Sequence, residues 1–316
     1  MRQASVLYNP VSGQGARRRI ARVTEVLRVL KSAGVTVEAI PTSSPGSAAA
    51  QASEAIRRGC DTIIVCGGDG TVHETIQAMV GETAALGVIP MGTANALAAD
   101  LGIPRSPAKA ARMLLQATPK RISVGRVEYQ AMAGGEQSRY FIVAAGFGVD
   151  AHFFSELDSR LKQRFGYLAY LVEALRLWAT HSFPSFIACF TEPGRETPRA
   201  EEVSQALAVR ITNFGGLVNH LVPSASLASD RLQVIAFKTR SRLRYMRFMA
   251  AVWFGRHTYS DTIELVECTA VECRDLPGST KPTLVEADGE LLGSVPARIE
   301  IVPQALTVLV PTKSST

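Results

Sequence analysis

The chain has few of the residues that mark a secreted or zinc-binding protein. Its 316 residues include five cysteines, and none of them forms a C-x-x-C pair. A disulfide framework and a zinc site are therefore disfavoured, and Cys60 and Cys66 fit reduced structural thiols. The apolar run at the N-terminus is too short for a signal sequence because Pro10 interrupts it. These absences predict a protein of a reducing compartment, the cytoplasm.

Long apolar runs and the common nucleotide-binding fingerprints are also missing. The uncharged stretch 83–99 is interrupted by Gly87, Pro90 and Asn95, so it reads as a strand, a loop and the start of a helix rather than a membrane span. The absence of a G-x-x-x-x-G-K-[ST] run disfavours a Walker-type NTPase. The net charge of +6 is modest and fits an anionic partner such as a nucleotide, a phospholipid surface or nucleic acid, without choosing among them.

The pattern of apolar residues changes near residue 121. Before it, short β-branched runs alternate with alanine-rich amphipathic segments, which is typical of a parallel sheet covered by helices. After it, strand-like runs separated by turn residues indicate mostly antiparallel β-structure. We expect a domain over 1–121, with the return of a final strand (305–316) to it left open, and a second domain over 122–304. The predicted strands of the first domain are 5–8, 35–40, 61–65 and 86–89, and its predicted helices are 16–33, 47–58, 72–80 and 107–116.

Two helical segments interrupt the second half. Residues 161–175 carry apolar side chains at helical spacing, which favours a core-facing helix. At helical spacing, three arginines within or next to the segment 241–257 fall on one narrow face. A helix of this kind can lie on an anionic membrane, and a packed helix with a solvated arginine edge explains the pattern equally well. The arginines are Arg240, Arg244 and Arg247, and the side chains expected on the opposite face are Tyr245, Met246, Met249, Val252 and Trp253.

Three turns of small and amide-bearing residues each follow a predicted strand of the first domain. The most informative is the run 66–74, CGGDGTVHE, where glycines allow close approach to an anion and Asp69 could hold a hydrated magnesium ion. The other two turns are 9–15 and 90–95. Each turn alone reads as an ordinary strand-to-helix connection. Because the carboxyl ends of parallel strands share one edge, the three together predict a phosphate site there.

Carboxylates in the second half supply the other candidate chemistry. Asp288 and Glu290 flank Gly289, so a tight turn could aim both at one point for metal binding or general-base work. A generic Asp-Gly hairpin turn explains the same residues. Asp230 could bind a metal or cap a strand, and its spacing does not separate these alternatives.

As an ordered set, the motifs resemble the diacylglycerol kinase catalytic-domain family of lipid kinases over nearly the whole chain. The Gly-Gly-Asp-Gly element is shared with NAD kinases and phosphofructokinases, whereas the Asn-Pro-x-Ser-Gly opening and the late Asp-Gly-Glu are features of the lipid kinases. The resemblance implies a Rossmann-like N-terminal domain, a C-terminal β-sandwich domain and ATP bound in the cleft between them. The motifs are NPVSG at 9–13, GGDGT at 67–71 with Glu74, PMGTAN at 90–95, AGFGVD at 145–150 and DGE at 288–290.

The resemblance also implies roles for individual residues. Glu290 would be the general base that takes the proton of a lipid hydroxyl, assisted by Asp288. Asp69 would organise Mg²⁺ and the phosphate end, and in sphingosine kinase relatives the equivalent aspartate is an alternative base. Implied ATP contacts are Asn9, Pro10, Val11, Ser12, Gly13, Thr42, Gly67, Gly68, Asp69, Gly70, Thr71, Val72, His73, Glu74, Thr93 and Asn95.

A structural Mg²⁺ is also implied, held by Asp230 and the carbonyl oxygens of Leu227 and Leu232. The chain departs from the family pattern beside this site, because Arg231 replaces the usual glycine. It departs at two further positions. His73 replaces an asparagine, as in sphingosine kinases, and Ala94 replaces a glycine, which should be tolerated unless the backbone there needs a positive φ.

These observations predict an ATP- and Mg²⁺-dependent lipid kinase that phosphorylates a hydroxyl of a lipid such as diacylglycerol. It would work as a peripheral protein at the inner, anionic face of the membrane, and nucleic acid is not expected among its partners. A homodimer is left open. The alternatives are a soluble NAD kinase, which the 67–71 element alone supports, and a non-catalytic lipid-binding protein that responds to nucleotide.

Overall fold

The protein was described from a computed structural model, which covers residues 1–10, 15–149, 151, 183–215 and 221–312. The chain forms two compact units. The first contains residues 1–123 and 304–316, and the second contains residues 124–303. The sequence predicts the two boundaries between these units at 121/122 and 304/305. The predicted helix over 161–175 lies outside the described residues.

The first unit contains a parallel sheet. Its strand order is the end of the last strand of the chain, followed by β4, β3, β1 and β2. Every residue of β3 and β4 is buried, as expected for strands covered on both faces. The carboxyl ends of β1, β3 and β4 therefore lie at one edge. The bounds are β1 (Gln3–Tyr8), β2 (Thr36–Pro41), β3 (Thr62–Gly67) and β4 (Ala85–Pro90).

Five helices connect and cover these strands. The sequence-based bounds agree with the observed ones to within one residue for three of them, but the third helix begins at Asp69 rather than at Val72. An acidic residue in a first turn interacts favourably with the helix dipole, so Asp69 is compatible with this earlier start. The bounds are α1 (Ala16–Ser32), α2 (Ser47–Arg57), α3 (Asp69–Met79), α4 (Ala96–Asp100) and α5 (Pro107–Leu115).

The second unit is mostly antiparallel β-structure, which confirms the predicted fold class. One run of neighbouring strands has the order β12, β11, β10, β7, β14 and β15, with every pair antiparallel. The strands are β5 (Thr118–Ala131), β6 (Glu136–Phe141), β7 (Ala144–Gly148), β8 (Phe186–Thr191), β9 (Arg199–Val203), β10 (Gln205–Val209), β11 (Leu232–Phe237), β12 (Ile263–Cys268), β13 (Ala270–Asp275), β14 (Leu284–Ala287) and β15 (Glu290–Val310).

Two predicted strand boundaries in this half are wrong. A single strand was expected over residues 140–144, but β6 ends at Phe141 and β7 starts at Ala144. The break occurs where backbone amides bind a side chain, as described below. Two strands were expected over 298–302 and 306–310, but β15 runs through both. Gln304 takes a positive φ of 49°, and its amide donates to the Ser123 hydroxyl, so a satisfied backbone links the two parts.

The helix predicted over 241–257 forms as α6 (Arg242–Trp253). Tyr245, Phe248 and Val252 are buried against Phe237 and Ile263. Of the side chains expected opposite the arginines, two are therefore buried and the other three are exposed. The exposed large apolar side chains of this segment are Leu243, Met246, Met249, Trp253 and Phe254.

All five cysteines are free, and four of them are buried. Burial raises the pKa of the Cys66 thiol, which keeps it protonated and unreactive. This agrees with structural thiols. Among the described residues, no helix is both long enough and apolar enough to cross a bilayer.

Candidate active site

The turn between β3 and α3 is shaped by two glycines. A Cβ atom at Gly67 would lie 2.9 Å from Cβ and Oγ1 of Thr71. Gly68 is the N-cap of α3, and its carbonyl accepts the amides of Thr71 and Val72 at 3.1 and 3.2 Å. The turn is therefore tight and has no side chain between the end of the strand and the start of the helix.

The β3–α3 turn touches the turn that follows β4. A Cβ atom at Gly92 would lie 2.6 Å from Cα of Gly68, and one at Gly68 would lie 3.3 Å from Cα of Gly92. The Met91 amide also donates to the Gly67 carbonyl at 2.9 Å. Two of the three predicted turns thus pack backbone against backbone, and this surface, free of side chains, can admit the phosphates of a nucleotide.

Asp69 connects the two turns. Its Oδ2 accepts the Asn95 amide at 2.8 Å, and its Oδ1 accepts the Ala96 amide at 2.7 Å. These are the amides at the start of α4, where intrahelical acceptors are missing. A carboxylate offers about four acceptor sites, so both hydrogen bonds are compatible with a further contact to a cation. The sequence and the family resemblance indicated roles for Asp69 toward a cation, a nucleotide or a proton, and the bracing of the neighbouring turn was missed.

Asn95 holds the second turn by its side chain. Its Oδ1 accepts the Gly92 amide at 2.7 Å, and its Nδ2 donates to the Gly92 carbonyl at 2.8 Å. The positive φ in this turn, 55°, belongs to Asn95 and not to Ala94. The alanine that departs from the family pattern therefore needs no special backbone conformation. Thr93 is exposed at the tip of the turn.

The remaining expected nucleotide contacts of the first unit are more dispersed. Thr42 follows β2, and its amide donates to the Tyr8 carbonyl at 2.8 Å, one residue before Asn9. His73 is buried. Glu74 belongs to α3, and its Oε2 accepts the amide of Ala48, at the start of α2, at 3.4 Å. Of the predicted contacts, Val11, Ser12 and Gly13 lie outside the described residues.

Two arginines at these turns were missed by the sequence reasoning. Arg19 of α1 is buried and donates to the Pro10 carbonyl at 2.6 Å. Burial, and secondly the charge of Arg22, lower the pKa of Arg19. Arg105 donates to the Thr93 carbonyl at 3.3 Å. Guanidinium groups bind phosphate oxygens well, and the signal available in the sequence was a basic residue shortly after each motif.

In the second unit, Asp288 lies in a tight turn with φ 50°, followed by Gly289 with φ 83°. Its Oδ1 accepts the amides of Val143 and Ala144 at 2.8 and 3.1 Å, and its Oδ2 accepts the amide of Ile142 at 3.0 Å. The Asp288 amide donates back to the Ala144 carbonyl at 2.8 Å. This carboxylate thus fixes the turn and explains the break between β6 and β7.

Glu290 is the first residue after this turn and is exposed. Among the described residues its carboxylate has no polar partner. The nearby Glu286 is buried and its Oε2 accepts the Gly289 amide at 3.0 Å. Of these three carboxylates, Glu290 is the one available to accept a proton, while Asp288 and Glu286 hold the turn that presents it.

The residues expected to hold a structural Mg²⁺ do not fit that ion. The Leu227 carbonyl accepts a hydrogen bond from Nη2 of Arg210 at 3.2 Å. Leu232 begins β11, and Asp230 is exposed. In the described part of the chain, no three acidic, histidine or cysteine side chains cluster as a metal site would require. Arg210 was not singled out from the sequence.

Comparison with known protein families divides the chain into two domains, in agreement with the two units of the structure. Residues 3–127 match the model of the diacylglycerol kinase catalytic domain, and residues 142–310 match the YegS C-terminal NAD kinase beta sandwich-like domain. The fold is therefore that of the NAD kinase and diacylglycerol kinase class. The chain belongs to the diacylglycerol kinase catalytic-domain family of lipid kinases, which confirms the resemblance.

Individual relatives cover the chain almost completely. A diacylglycerol kinase of Bacillus subtilis is 27% identical over 98% of this chain and 97% of its own length. One of Mycobacterium tuberculosis is 29% identical over 98% and 95%. A crystal structure of a putative diacylglycerol kinase from Bacillus anthracis has a TM-score of 0.76 at 21% identity, covering 99% and 98%. Yeast NADH kinase complexed with NADH shares the fold, with a TM-score of 0.56 at 9% identity, covering 99% and 84%.

Substituting Gly92 by alanine tests the contact between the turns. The added Cβ would meet backbone, which cannot rotate away, so we expect Gly92→Ala to lower the free energy of unfolding by about 1–3 kcal/mol. Gly87→Ala is the control, since its Cβ would meet only side chains, at 3.2 Å or more. Urea denaturation measures both. Equal losses would contradict the proposed backbone contact.

Substitutions of Asp288 and Glu290 should differ in their effect on the free energy of unfolding. Asp288→Asn replaces one accepting oxygen by an NH₂ group that faces backbone N–H donors. It should lower the free energy of unfolding by about 1–3 kcal/mol. Glu290→Gln removes no polar contact that the described residues make and should stay within about 0.5 kcal/mol of the parent. Urea denaturation followed by circular dichroism measures the difference. A glutamine variant as unstable as the asparagine variant would contradict this assignment.

Proposed function

We propose that the protein is an ATP- and Mg²⁺-dependent lipid kinase that transfers the γ-phosphoryl group of ATP to a lipid hydroxyl such as that of diacylglycerol. The observation that carries the proposal is the pair of glycine turns in backbone contact, braced by Asp69. The relatives named diacylglycerol kinase, which align with 98% of the chain, support the same reading.

Phosphoryl transfer depends on positioning and on charge neutralisation more than on covalent catalysis. The backbone at Gly67, Gly68 and Gly92 would receive the phosphates, and Arg105 would add a positive charge beside them. Asp69 would contribute a carboxylate oxygen to Mg²⁺, a hard cation that prefers oxygen ligands, and the bound ion would neutralise phosphate charge.

Glu290 would accept the proton of the lipid hydroxyl as that oxygen attacks the γ-phosphorus. The exposed, unpartnered state of Glu290 among the described residues supports this role, because a base must be reachable by its substrate. Asp288 would act through the turn: its three backbone hydrogen bonds fix the position from which Glu290 projects. It is therefore a positioning residue in this proposal.

A substrate panel tests the activity. Purified protein with labelled ATP and Mg²⁺ is offered micelles of diacylglycerol, monoacylglycerol, sphingosine, ceramide or phosphatidylglycerol, and NAD without detergent. We expect a phosphorylated lipid and no NADP. NADP as the sole product would favour an NAD kinase, and folded protein that phosphorylates no lipid would contradict the proposal.

The same assay tests the base. Glu290→Gln should lower kcat by a factor of about 100 to 10,000, as expected for loss of a general base, and should leave ATP affinity unchanged. Glu202→Gln is the matched control, because Glu202 is another exposed glutamate of the second unit, on β9. An unchanged kcat in the Glu290 variant would instead favour a different base or a non-catalytic protein.

The substrate class requires contact with a membrane, and we propose that α6 provides it. Residues 240–260 contain five arginines and no acidic residue. The buried face of α6 anchors it to the second unit through Phe248 and Val252. Its outer surface displays apolar side chains, with Phe254 76% exposed, among the arginines. Apolar insertion combined with positive charge matches an anionic lipid surface.

Vesicle co-sedimentation tests this surface. The double substitution Trp253→Ala and Phe254→Ala should weaken binding to phosphatidylglycerol vesicles at least about tenfold, since two large exposed rings are removed. Raised salt should weaken binding of the parent protein, because the arginine attraction is screened. The control is Met132→Ala, an exposed apolar side chain far along the sequence. Equal weakening by the control would contradict a specific role for α6.

A further inference from the structure

Arg210 is a buried cation surrounded by backbone carbonyl groups. It follows β10, and its side chain is only 1% exposed. Nη1 donates to the carbonyls of Ser229 and Arg231 at 3.0 and 3.1 Å, and Nη2 donates to that of Leu227 at 3.2 Å. Three oxygens of one short loop, 227–231, thus converge on a single guanidinium group.

The loop is arranged to direct its carbonyls at this cation. Its amides are satisfied locally: Ser229 donates to the Ser226 carbonyl at 3.1 Å, and Arg231 donates to the Ser229 hydroxyl at 3.1 Å. The carbonyl oxygens of the same residues are left for an external donor. The bond to the Leu227 carbonyl is buried, and a buried carbonyl needs a partner, so this end of the loop requires a positive or hydrogen-bonding group.

The surrounding charges fit a permanent cation at this position. Burial lowers the pKa of Arg210 to about 10, while the charge of Asp230 acts in the opposite direction and favours the ionised form. The group therefore remains charged near neutral pH. The Arg210 amide donates to the Val143 carbonyl at 2.9 Å, which fixes the root of the side chain beside β10.

We propose that the Arg210 guanidinium takes the place of a structural divalent cation, so that the 227–231 loop is held by an internal charge and not by Mg²⁺. The loop offers what a hard cation would take, carbonyl oxygens with Asp230 beside them, and Arg210 already occupies three of those oxygens. A divalent ion bound to the same oxygens would lie against a positive charge. This inference concerns the second unit and does not depend on the kinase activity.

Thermal unfolding, measured without nucleotide, tests whether Arg210 takes the place of a structural divalent cation. The parent protein should unfold at the same Tm, within about 1 °C, in EDTA and in MgCl₂, MnCl₂ or CaCl₂ at matched ionic strength. Metal analysis after gel filtration should find no stoichiometric divalent ion. A Tm that falls by several degrees in EDTA, or one tightly held divalent ion per chain, would overturn the proposal.

Variants of Arg210 sharpen the test. Arg210→Ala leaves three carbonyls without their donor and should lower Tm by at least about 5 °C, and Arg210→Lys, which keeps the charge, should recover part of that loss. Mn²⁺ should raise the Tm of Arg210→Ala, since the vacated oxygens form a site for a hard cation. Arg121→Ala is the control: Arg121 also donates to a carbonyl, that of Glu82, but is exposed, and its variant should show no metal response. An Arg210→Ala protein as stable as the parent would overturn the proposal.

Discussion

The hydrogen bonds of the Asp69 carboxylate to the amides of Asn95 and Ala96 are the constraint on which the first unit's candidate site depends. They join the start of α3 to the start of α4. With Gly68 and Gly92 in contact at the same place, the two strand-to-helix turns behave as one surface rather than as two loops. A nucleotide site requires such rigidity, because positioning contributes most of the acceleration in phosphoryl transfer. Asp69 therefore shapes the candidate site through its two backbone hydrogen bonds, separately from the Mg²⁺ contact proposed for it.

The second unit uses the same device at its own turn. Asp288 binds the amides of residues 142–144, and Glu286 binds the amide of Gly289. Both carboxylates are bound to backbone amides, whereas the carboxylate of Glu290 is exposed and has no polar partner among the described residues. Asp288 and Glu290 therefore look like two matched acids in the sequence, but the structure separates them into one that holds the turn and one that is exposed. The distinction arises from hydrogen-bond partners that lie almost 150 residues away in the chain.

Contacts between residues that are far apart in the chain limit what the sequence could predict. The strands and helices of the first unit follow local periodicity, and residues such as those of β3 and β4 reveal their burial by apolar runs alone. The break at residues 142–143 does not, because it depends on a distant carboxylate. Similarly, the face of α6 that packs inward is set by Phe237 and Ile263, and helical spacing alone does not show that Tyr245 is buried while Met246 and Trp253 are exposed. The local sequence pattern predicts helices and strands, whereas contacts between distant residues decide which side chains are buried or hydrogen-bonded.

Arg210 is a second example of a role that depends on distant residues, here at the loop expected to bind a structural Mg²⁺. The departure at Arg231 was visible within the motif, yet the residue that alters the site follows β10, some twenty positions earlier. Arg231 contributes backbone groups, which any residue would supply, whereas the guanidinium of Arg210 provides charge and several donors in a fixed plane. An internal cation is always present, so folding of the loop would be independent of metal supply. The catalytic demand for Mg²⁺ at the nucleotide would then be separate from any demand of the fold itself.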